Sequence, residues 1–200
     1  MTTKRPLIRK KIGGVYHHGD LKASLKKAAL RLVLEKGPRG FSLNEASRLA
    51  GVTVAAPYRH FEDKDALLAE IARDGYELMA VEIQAAANKS PEVRRKMVEA
   101  GMAYLHFALH HSDYFTVMFQ SGLEKPKYPT LESSAQAAFG IILDFSMQFE
   151  KTPELGLQRA IASWGLVHGL ATLEAEGGLS MMSRHPSLEH LRPLLERFLG

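Results

Sequence analysis

Hydrogen-bond donors cluster in one short stretch of the chain, VTVAAPYRHF (residues 52–61). Tyr58, Arg59 and His60 are consecutive, and Lys64 lies four residues beyond His60. Hydroxyl, guanidinium, imidazole and ammonium groups all donate to phosphate oxygens, and such contacts set the register of a protein on a nucleic acid without reading its sequence. The stretch therefore predicts a surface that binds a phosphate backbone.

Side chains small enough to enter a DNA groove precede these donors. A helix that enters the major groove, roughly 12 Å wide, needs short side chains at its tip. The sequence supplies four of them: Thr53, Val54, Ala55 and Ala56. Their hydroxyl and methyl groups can contact thymine methyls, and Arg59 can bind guanine through two hydrogen bonds. Ser42 completes the predicted set of DNA-contacting residues.

Two short helices joined by a glycine-containing turn are predicted to position these side chains. Ser42 and Glu45 have the spacing of a capping box, which begins one helix, and Gly51 supplies the left-handed residue that ends it. Thr53 is predicted to cap the next helix, where Pro57 stands near the start and costs at most one hydrogen bond. This arrangement is typical of helix-turn-helix DNA-binding domains.

The rest of the chain shows apolar patterns with helical periodicity and no alternation typical of strands. The predicted fold class is all-α, with an N-terminal three-helix helix-turn-helix domain followed by a larger helical bundle. Asp20 is predicted to cap the first helix, and a long helix over 64–87 connects the two parts. Further helices are predicted near 92–111, 113–121, 130–150, 154–176 and 187–199. The predicted domains are a basic arm (1–14), the helix-turn-helix domain (15–64) and a ligand-binding and dimerisation domain (65–200).

Basic residues are concentrated at the N-terminal end of the 200-residue chain. Residues 1–64 hold 14 Lys and Arg against 5 Asp and Glu, whereas the remainder holds 12 against 17. This segregation favours a nucleic acid over a membrane surface as the partner. Five of the basic residues lie in 1–11, which we expect to form a flexible arm able to enter a minor groove, with His17 and His18 at its edge. The absence of cysteine and of a long apolar run predicts a cytoplasmic protein.

Residues able to support catalysis or to bind a metal ion are few. The chain has no cysteine, no glycine-rich phosphate loop and no recognisable set of nucleophile, base and acid. His106 and His110 could form a three-histidine metal site with His168, but no carboxylate stands at ligand spacing. We therefore predict no catalytic residue, no metal site and no cofactor, and we expect His168 to be a buried, hydrogen-bonded residue near Trp164.

The N-terminal sequence resembles a known family of bacterial transcription regulators. The segment AALRLVLEKGPRGFSLNEASRLAGVTVAAPYRHFEDKDALLAEI is similar to the DNA-binding domain of the tetracycline-repressor (TetR) family, and the resemblance covers residues 20–71. It rests on a first helix that ends in Glu-x-Gly, followed by Ala-Gly-Val-Thr, Tyr-x-His-Phe and Lys-x-x-Leu. The resemblance implies that Tyr58, His60 and Lys64 contact phosphates and that residues 53–59 read the groove.

Two positions depart from the family pattern. Ala46-Ser47 stands where the family usually has Ile-Ala, and Pro57 stands where it usually has another residue. An operator sequence therefore cannot be transferred from a relative. Further along, WGLVHG (164–169) looks like the subgroup whose regulatory domain carries a Trp-His-Gly signature. The resemblance implies a domain that dimerises through its last two helices and holds a small ligand within each subunit.

Two C-terminal segments are candidates for a dimer interface. Gly165 and Gly169 stand four residues apart, which allows close approach of another helix, and packing within the chain is the alternative for this face. The second candidate is the predicted helix over 188–199, with its single apolar edge. The predicted interface residues are Gly165, Gly169, Leu173, Leu191, Leu195 and Phe198. We expect a homodimer because helix-turn-helix proteins gain affinity by binding two half-sites.

Aromatic and methionine side chains crowd residues 97–149. Such a composition is typical of a plain core and also of a pocket for a hydrophobic effector, and the family resemblance favours the pocket. The predicted lining residues are Met102, Phe107, Phe115, Met118, Phe119, Phe139, Phe145, Trp164 and His168.

The sequence thus predicts a homodimeric, sequence-specific DNA-binding regulator. The favoured hypothesis is a repressor that leaves a palindromic DNA operator when a small, largely apolar effector binds. One alternative is a DNA-binding protein that responds to no ligand, whose regulatory domain would be packed solid. The other is a helical enzyme, which the missing catalytic set disfavours.

Overall fold

A computed structural model describes residues 21–179 and 188–200, and these ranges contain eight α-helices and no β-strand. The helices are α1 (Leu21–Lys36), α2 (Leu43–Leu49), α3 (Lys64–Ala87), α4 (Val93–His110), α5 (Ser112–Gln120), α6 (Pro129–Met147), α7 (Pro153–Ala175) and α8 (Arg192–Phe198). Single 3-10 turns lie at Pro57–Arg59, Lys125–Lys127 and Leu188–Leu191. The predicted all-α fold is confirmed. The basic arm, His17, His18 and the Asp20 cap lie outside the described residues.

The start of α2 forms as its sequence predicts. The Ser42 hydroxyl accepts a hydrogen bond from the Glu45 amide (3.2 Å), and the Glu45 carboxylate accepts one from the Ser42 amide (2.9 Å). These two bonds satisfy donors that every helix start leaves unpaired. Gly51 follows α2 with a φ of 72°, a conformation that glycine adopts without steric cost. The capping box and the turn are therefore confirmed.

The helix predicted to begin at Thr53 is reduced to a single 3-10 turn that begins at Pro57. The Ala56 amide donates to the Thr53 carbonyl (3.0 Å), and the His60 amide donates to the Pro57 carbonyl (2.8 Å). Proline has no amide hydrogen, so the helical bond from residue 57 back to Thr53 cannot form. The stretch consequently closes in three-residue turns, and the prediction of a longer recognition helix was wrong.

The connecting helix α3 has the predicted bounds. The Asp63 carboxylate caps it by accepting a hydrogen bond from the Ala66 amide (2.7 Å). Its 24 residues span about 36 Å. It packs against α1 and then against α4, α5 and α6, while α7 covers α4 and α6. One helix thus belongs to both the N-terminal three-helix unit and the C-terminal bundle.

The predicted C-terminal helices match the structure to within a few residues, except for the last. The range 187–199 was predicted as one helix, but its described part divides into the 3-10 turn Leu188–Leu191 and the short α8. Pro193 lies in the first turn of α8. Proline has no amide hydrogen, so it cannot continue the hydrogen bonds of the preceding 3-10 turn, but it is tolerated at the start of a new helix.

Candidate nucleic-acid interface and ligand cavity

The turn around Pro57 presents the predicted DNA-contacting residues to solvent. Pro57 and Phe61 are buried and hold the turn against the helices, whereas the Tyr58 residue is 58% exposed. Tyr58 is therefore a surface residue rather than a core aromatic. The exposed members of the predicted set are Ser42, Thr53, Val54, Ala55, Tyr58, Arg59 and His60, and Ala56 is half-buried.

Lys64 lies in a different environment from the exposed donors. Its Nζ donates to the carbonyl oxygens of Phe41 (3.0 Å) and Arg39 (3.3 Å), and it lies 5.2 Å from the centroid of the Phe41 ring. Two of its three N–H groups therefore stabilise the loop between α1 and α2. The predicted phosphate contact of Lys64 stays a prediction, and only its third N–H is available for it.

Sequence reasoning did not include the exposed side of α2 in the interface. Leu43, Ala46 and Ser47 are buried, so α2 presents Asn44 and Arg48 to solvent. An amide and a guanidinium four residues apart share one helix face and can contact bases or phosphates. The signal was present in the sequence as the polar positions between the apolar anchors.

Several of the basic side chains in the N-terminal segment form ion pairs with carboxylates. Lys22 pairs with Glu70 and Lys26 with Asp74, and both pairs join α1 to α3. Arg59 and Arg48 have no carboxylate within ion-pairing distance among the described residues. Arg59, in the Pro57 turn, thus keeps its charge free of a carboxylate within the described part of the chain.

The capping box also shifts a protonation equilibrium. The Lys36 ammonium, 2.6 Å from the Glu45 carboxylate, and the amide and hydroxyl of Ser42 lower the pKa of Glu45 from 4.5 to about 2. Each of these donors stabilises the ionised carboxylate. Glu45 is therefore charged at neutral pH and holds the start of α2 in place.

A cavity of about 360 Å³ lies between α3, α4, α6 and α7. Its wall is mostly apolar. Among the predicted lining residues, Phe119, Phe139 and Trp164 lie on it. Sequence reasoning missed most of the remaining wall, including Tyr76, Met79, Ile83, Met97, Tyr104, Lys125, Gln136 and Ile142.

Five of the predicted lining residues are core residues instead. Met102, Phe107, Phe115, Met118 and Phe145 are buried and lie outside the cavity wall. On α4 the wall includes positions 97, 100, 101 and 104, which share one helix face, so position 102 points elsewhere. Phe107 continues that row but lies one turn beyond the last wall residue. Met118 packs instead against Gly75, where a Cβ atom would lie 2.6 Å from its sulfur.

His168 lies behind the cavity wall rather than on it. Its Nδ1 is 2.8 Å from the hydroxyl oxygen of Tyr104, and its ring centroid is 5.8 Å from that of Trp164. The predicted hydrogen bond and the proximity to Trp164 are confirmed, although the ring is only half-buried. Burial lowers the pKa of His168, so the imidazole is neutral at neutral pH, and burial raises the pKa of Tyr104.

The other two histidines considered as metal ligands have separate roles. His110 Nδ1 is 2.8 Å from the carbonyl oxygen of His106 on the same helix. Within residues 21–179 and 188–200, no three histidine or carboxylate side chains are grouped closely enough to hold a metal ion.

The predicted dimer residues fall into two classes. Leu191 and Leu195 are buried within the chain, and a Cβ built on Gly101 would lie 3.1 Å from a methyl group of Leu195. Both side chains are thus already occupied within the chain, and their place in the interface stays a prediction. The apolar edge of α8 faces its own bundle, and only Phe198, which is 61% exposed, points outward.

The α7 residues of the predicted interface are exposed. Gly165, Gly169 and Leu173 continue a stripe that begins with Leu157 and Ile161, at a spacing of four residues. A Cβ atom built on either glycine would meet nothing within 4 Å. This set, called the α7 stripe below, is an open apolar face, and no described residue packs over its two glycines.

Comparisons with known proteins agree with this architecture. Residues 25–71 match the family model described as bacterial regulatory proteins of the tetR family, and residues 97–198 match the one described as the tetracyclin repressor-like C-terminal domain. No curated protein matches the chain. In the described ranges, none of the helices has the length and apolar character needed to cross a bilayer.

Solved structures share the fold over nearly the whole chain. A protein of unknown function from Rhodococcus sp. RHA1 is 25% identical, with 92% of this chain and 98% of that one covered and a TM-score of 0.77. A tetR-family regulatory protein from Rhodococcus RHA1 is 15% identical (90% and 96% covered, TM-score 0.69). The transcriptional regulator FadR from Bacillus subtilis, solved in complex with stearoyl-CoA, is 13% identical (88% and 96% covered, TM-score 0.71). With the C-terminal family model alone matching half of the chain, this protein belongs to the TetR family of bacterial transcription regulators.

Proposed function

We propose that this protein is a homodimeric repressor that binds a palindromic operator and is released from it by a small, largely apolar ligand. The observation that carries the proposal is the apolar cavity whose wall includes Tyr76, Met79 and Ile83 of α3, the helix that begins in the DNA-binding unit. A ligand in this cavity touches the connecting helix directly. The stearoyl-CoA complex of FadR, which has the same fold, supports a long apolar ligand for this architecture.

The DNA-binding part of the proposal rests on the exposed Pro57 turn. Small side chains from Thr53 to Ala55 can enter the major groove, and Tyr58, Arg59 and His60 can bind the flanking phosphates. Asn44 and Arg48 extend the same surface along α2. A protein that works on DNA in this way acts in the cytoplasm, as the sequence predicts.

The dimer part of the proposal rests on the α7 stripe. Two copies of α7 that cross at Gly165 and Gly169 can approach closely, because glycine removes the side chains that would separate the helices. The exposed Phe198 extends the apolar surface from α8. The positions of Trp164 and His168 beside the cavity are consistent with the Trp-His-Gly subgroup, which stays a prediction.

Release from DNA follows from the geometry of α3. The recognition elements of a dimer must lie roughly 34 to 36 Å apart to enter successive major grooves. A ligand that displaces α3 at the cavity tilts the DNA-binding unit and spoils this spacing. By linkage, the operator must weaken ligand binding by the same factor, and we expect a coupling free energy of about 1 to 3 kcal/mol.

The DNA-binding function is tested with a matched pair of arginine variants. We expect Arg59→Ala to weaken binding to a site selected from random-sequence duplexes and to reduce the slope of log K against log salt by about 2 per dimer, since each subunit loses one phosphate contact. Arg95→Ala removes the same charge from exposed α4 at the far end of α3 and is the control. Equal effects of the two substitutions on DNA affinity and on its salt dependence would contradict the assignment of the Pro57 turn to the DNA-binding surface.

The ligand response is tested by calorimetry with and without operator DNA. The proposal requires a lower ligand affinity when the operator is saturating, by about fivefold to 150-fold. Identical ligand affinities in the two titrations would remove the repressor mechanism and leave only DNA binding.

A further inference from the structure

The charged side chains on the cavity wall, Lys125 and Glu132, lie at one end. Lys125, Glu132 and Gln136 lie on or next to the first turns of α6. The Ser134 hydroxyl donates to the Glu77 carboxylate (3.1 Å), which places this end of α6 beside the middle of α3. Gln136 is exposed, so this end of the cavity reaches solvent.

The opposite end of the cavity is apolar. Ile83, Met97 and Ile142 line it. Lys96 lies 6.0 Å from the ring centroid of Phe145, which places the end of α6 beside the start of α4. Glu132 and Ile142 are ten residues apart on one helix, a distance of about 15 Å. The cavity is therefore elongated, with its charged side chains at one end.

Lys125 is the cation at the polar end, and its charge is not balanced by an ion pair. Its Nζ lies 5.9 Å from the centroid of the Tyr76 ring, and no carboxylate within the described ranges lies at ion-pairing distance. Lys127, in the same 3-10 turn, pairs with Glu124 at 2.7 Å. Only Lys125 of these two lysines faces the cavity with a free ammonium.

Glu132 lies on the same wall but forms no ion pair with Lys125. It lies in the first turn of α6, where the helix dipole stabilises a carboxylate. The Tyr104 hydroxyl, which also lies on the wall, is already bonded to His168. The strongest unpaired group available to a ligand is consequently the Lys125 ammonium.

We propose that the cavity binds an elongated apolar monoanion, whose anionic group contacts Lys125 and whose apolar body lies along α6 toward Ile142. This inference rests on the proposed function, in which the cavity is the effector site. An ammonium that contacts a carboxylate forms a charge-assisted hydrogen bond, whereas a neutral head group of the same length gains only an ordinary one.

The inference is tested with three probes that share one alkyl chain: decanoate, 1-decanol and decyltrimethylammonium. Trp164 is the only tryptophan of the chain and lies on the cavity wall, so its fluorescence reports binding directly. We expect decanoate to bind about tenfold more tightly than decanol and the ammonium probe to bind most weakly. Lys125→Ala should lower decanoate affinity about tenfold and decanol affinity by much less, while Lys127→Ala changes neither.

A second variant should change decanoate affinity in the opposite direction to Lys125→Ala. Glu132→Gln removes the one carboxylate on the described cavity wall, so it should raise decanoate affinity and lower that of the ammonium probe. Equal binding of decanoate and decanol, or preference for the ammonium probe, would overturn the anionic ligand while leaving an apolar effector cavity intact. Absence of binding by all three probes would also overturn the inference. The DNA-binding function is tested independently by the Arg59→Ala and Arg95→Ala variants.

Discussion

The sharpest test of the dimer is the substitution Gly169→Leu on the α7 stripe. Among residues 21–179 and 188–200, a Cβ atom at this position meets nothing within 4 Å, so a larger side chain starts in open space. Leucine also favours a helix over glycine by up to about 0.8 kcal/mol at an exposed position. Folding of the monomer should therefore be unharmed or slightly stabilised.

A closely packed partner helix would meet the new side chain. Overpacking a well-packed contact costs about 1 to 3 kcal/mol, and a two-fold symmetric interface contains the substitution twice. The expected loss of about 2 to 6 kcal/mol raises the dimer dissociation constant at least about thirtyfold. Sedimentation equilibrium measures this constant, and thermal unfolding checks that the monomer is intact.

The matched control is Gly140→Leu on α6, where a Cβ atom likewise meets nothing within 4 Å. Gly140 lies outside the α7 stripe, so its replacement should leave the dimer dissociation constant unchanged. If Gly169→Leu leaves that constant as low as Gly140→Leu does, the α7 stripe is not the dimer seam.

Three other predictions follow from single contacts. Ala138 is buried on the cavity wall, so Ala138→Phe should fill the cavity. The change in Trp164 fluorescence on adding decanoate should then disappear, while DNA affinity stays within about threefold. A fluorescence change as large as in the wild type would place the ligand elsewhere. Tyr104→Phe removes the hydrogen-bond partner of His168 Nδ1. The free energy of unfolding should fall by about 1 kcal/mol, which lowers the Tm by about 2–4 °C. An unchanged Tm would show that this hydrogen bond contributes nothing to stability. Because the pKa of Glu45 is lowered from 4.5 to about 2, its ionised form stabilises the fold above pH 4.5, and this contribution is lost as pH falls toward 2. The Tm difference between wild type and Glu45→Gln should narrow over that range, and a constant difference would contradict the assigned cause.

Features that depend on neighbouring residues were predictable from the sequence. The capping box of Ser42 and Glu45, the left-handed Gly51 and the bounds of α3 all depend on groups within about four residues of one another. The all-α fold and the family followed from such local patterns together with the motif spacing. Even the wrong helix at Thr53 was a local error, because Pro57 was given too small an effect on the hydrogen bonds around it.

The cavity wall and the dimer face could be decided only by the tertiary structure. Met97 and Met102 both lie on α4 and have similar chemistry, yet only Met97 faces the cavity, because the rotation of α4 against its neighbours selects one helix face. Leu195 and Leu173 are the same residue type, and packing against Gly101 buries only Leu195. Sequence periodicity thus determined that each helix has an apolar side. Which partner that side meets depends on contacts between residues far apart in the chain, and only the packed fold specifies them.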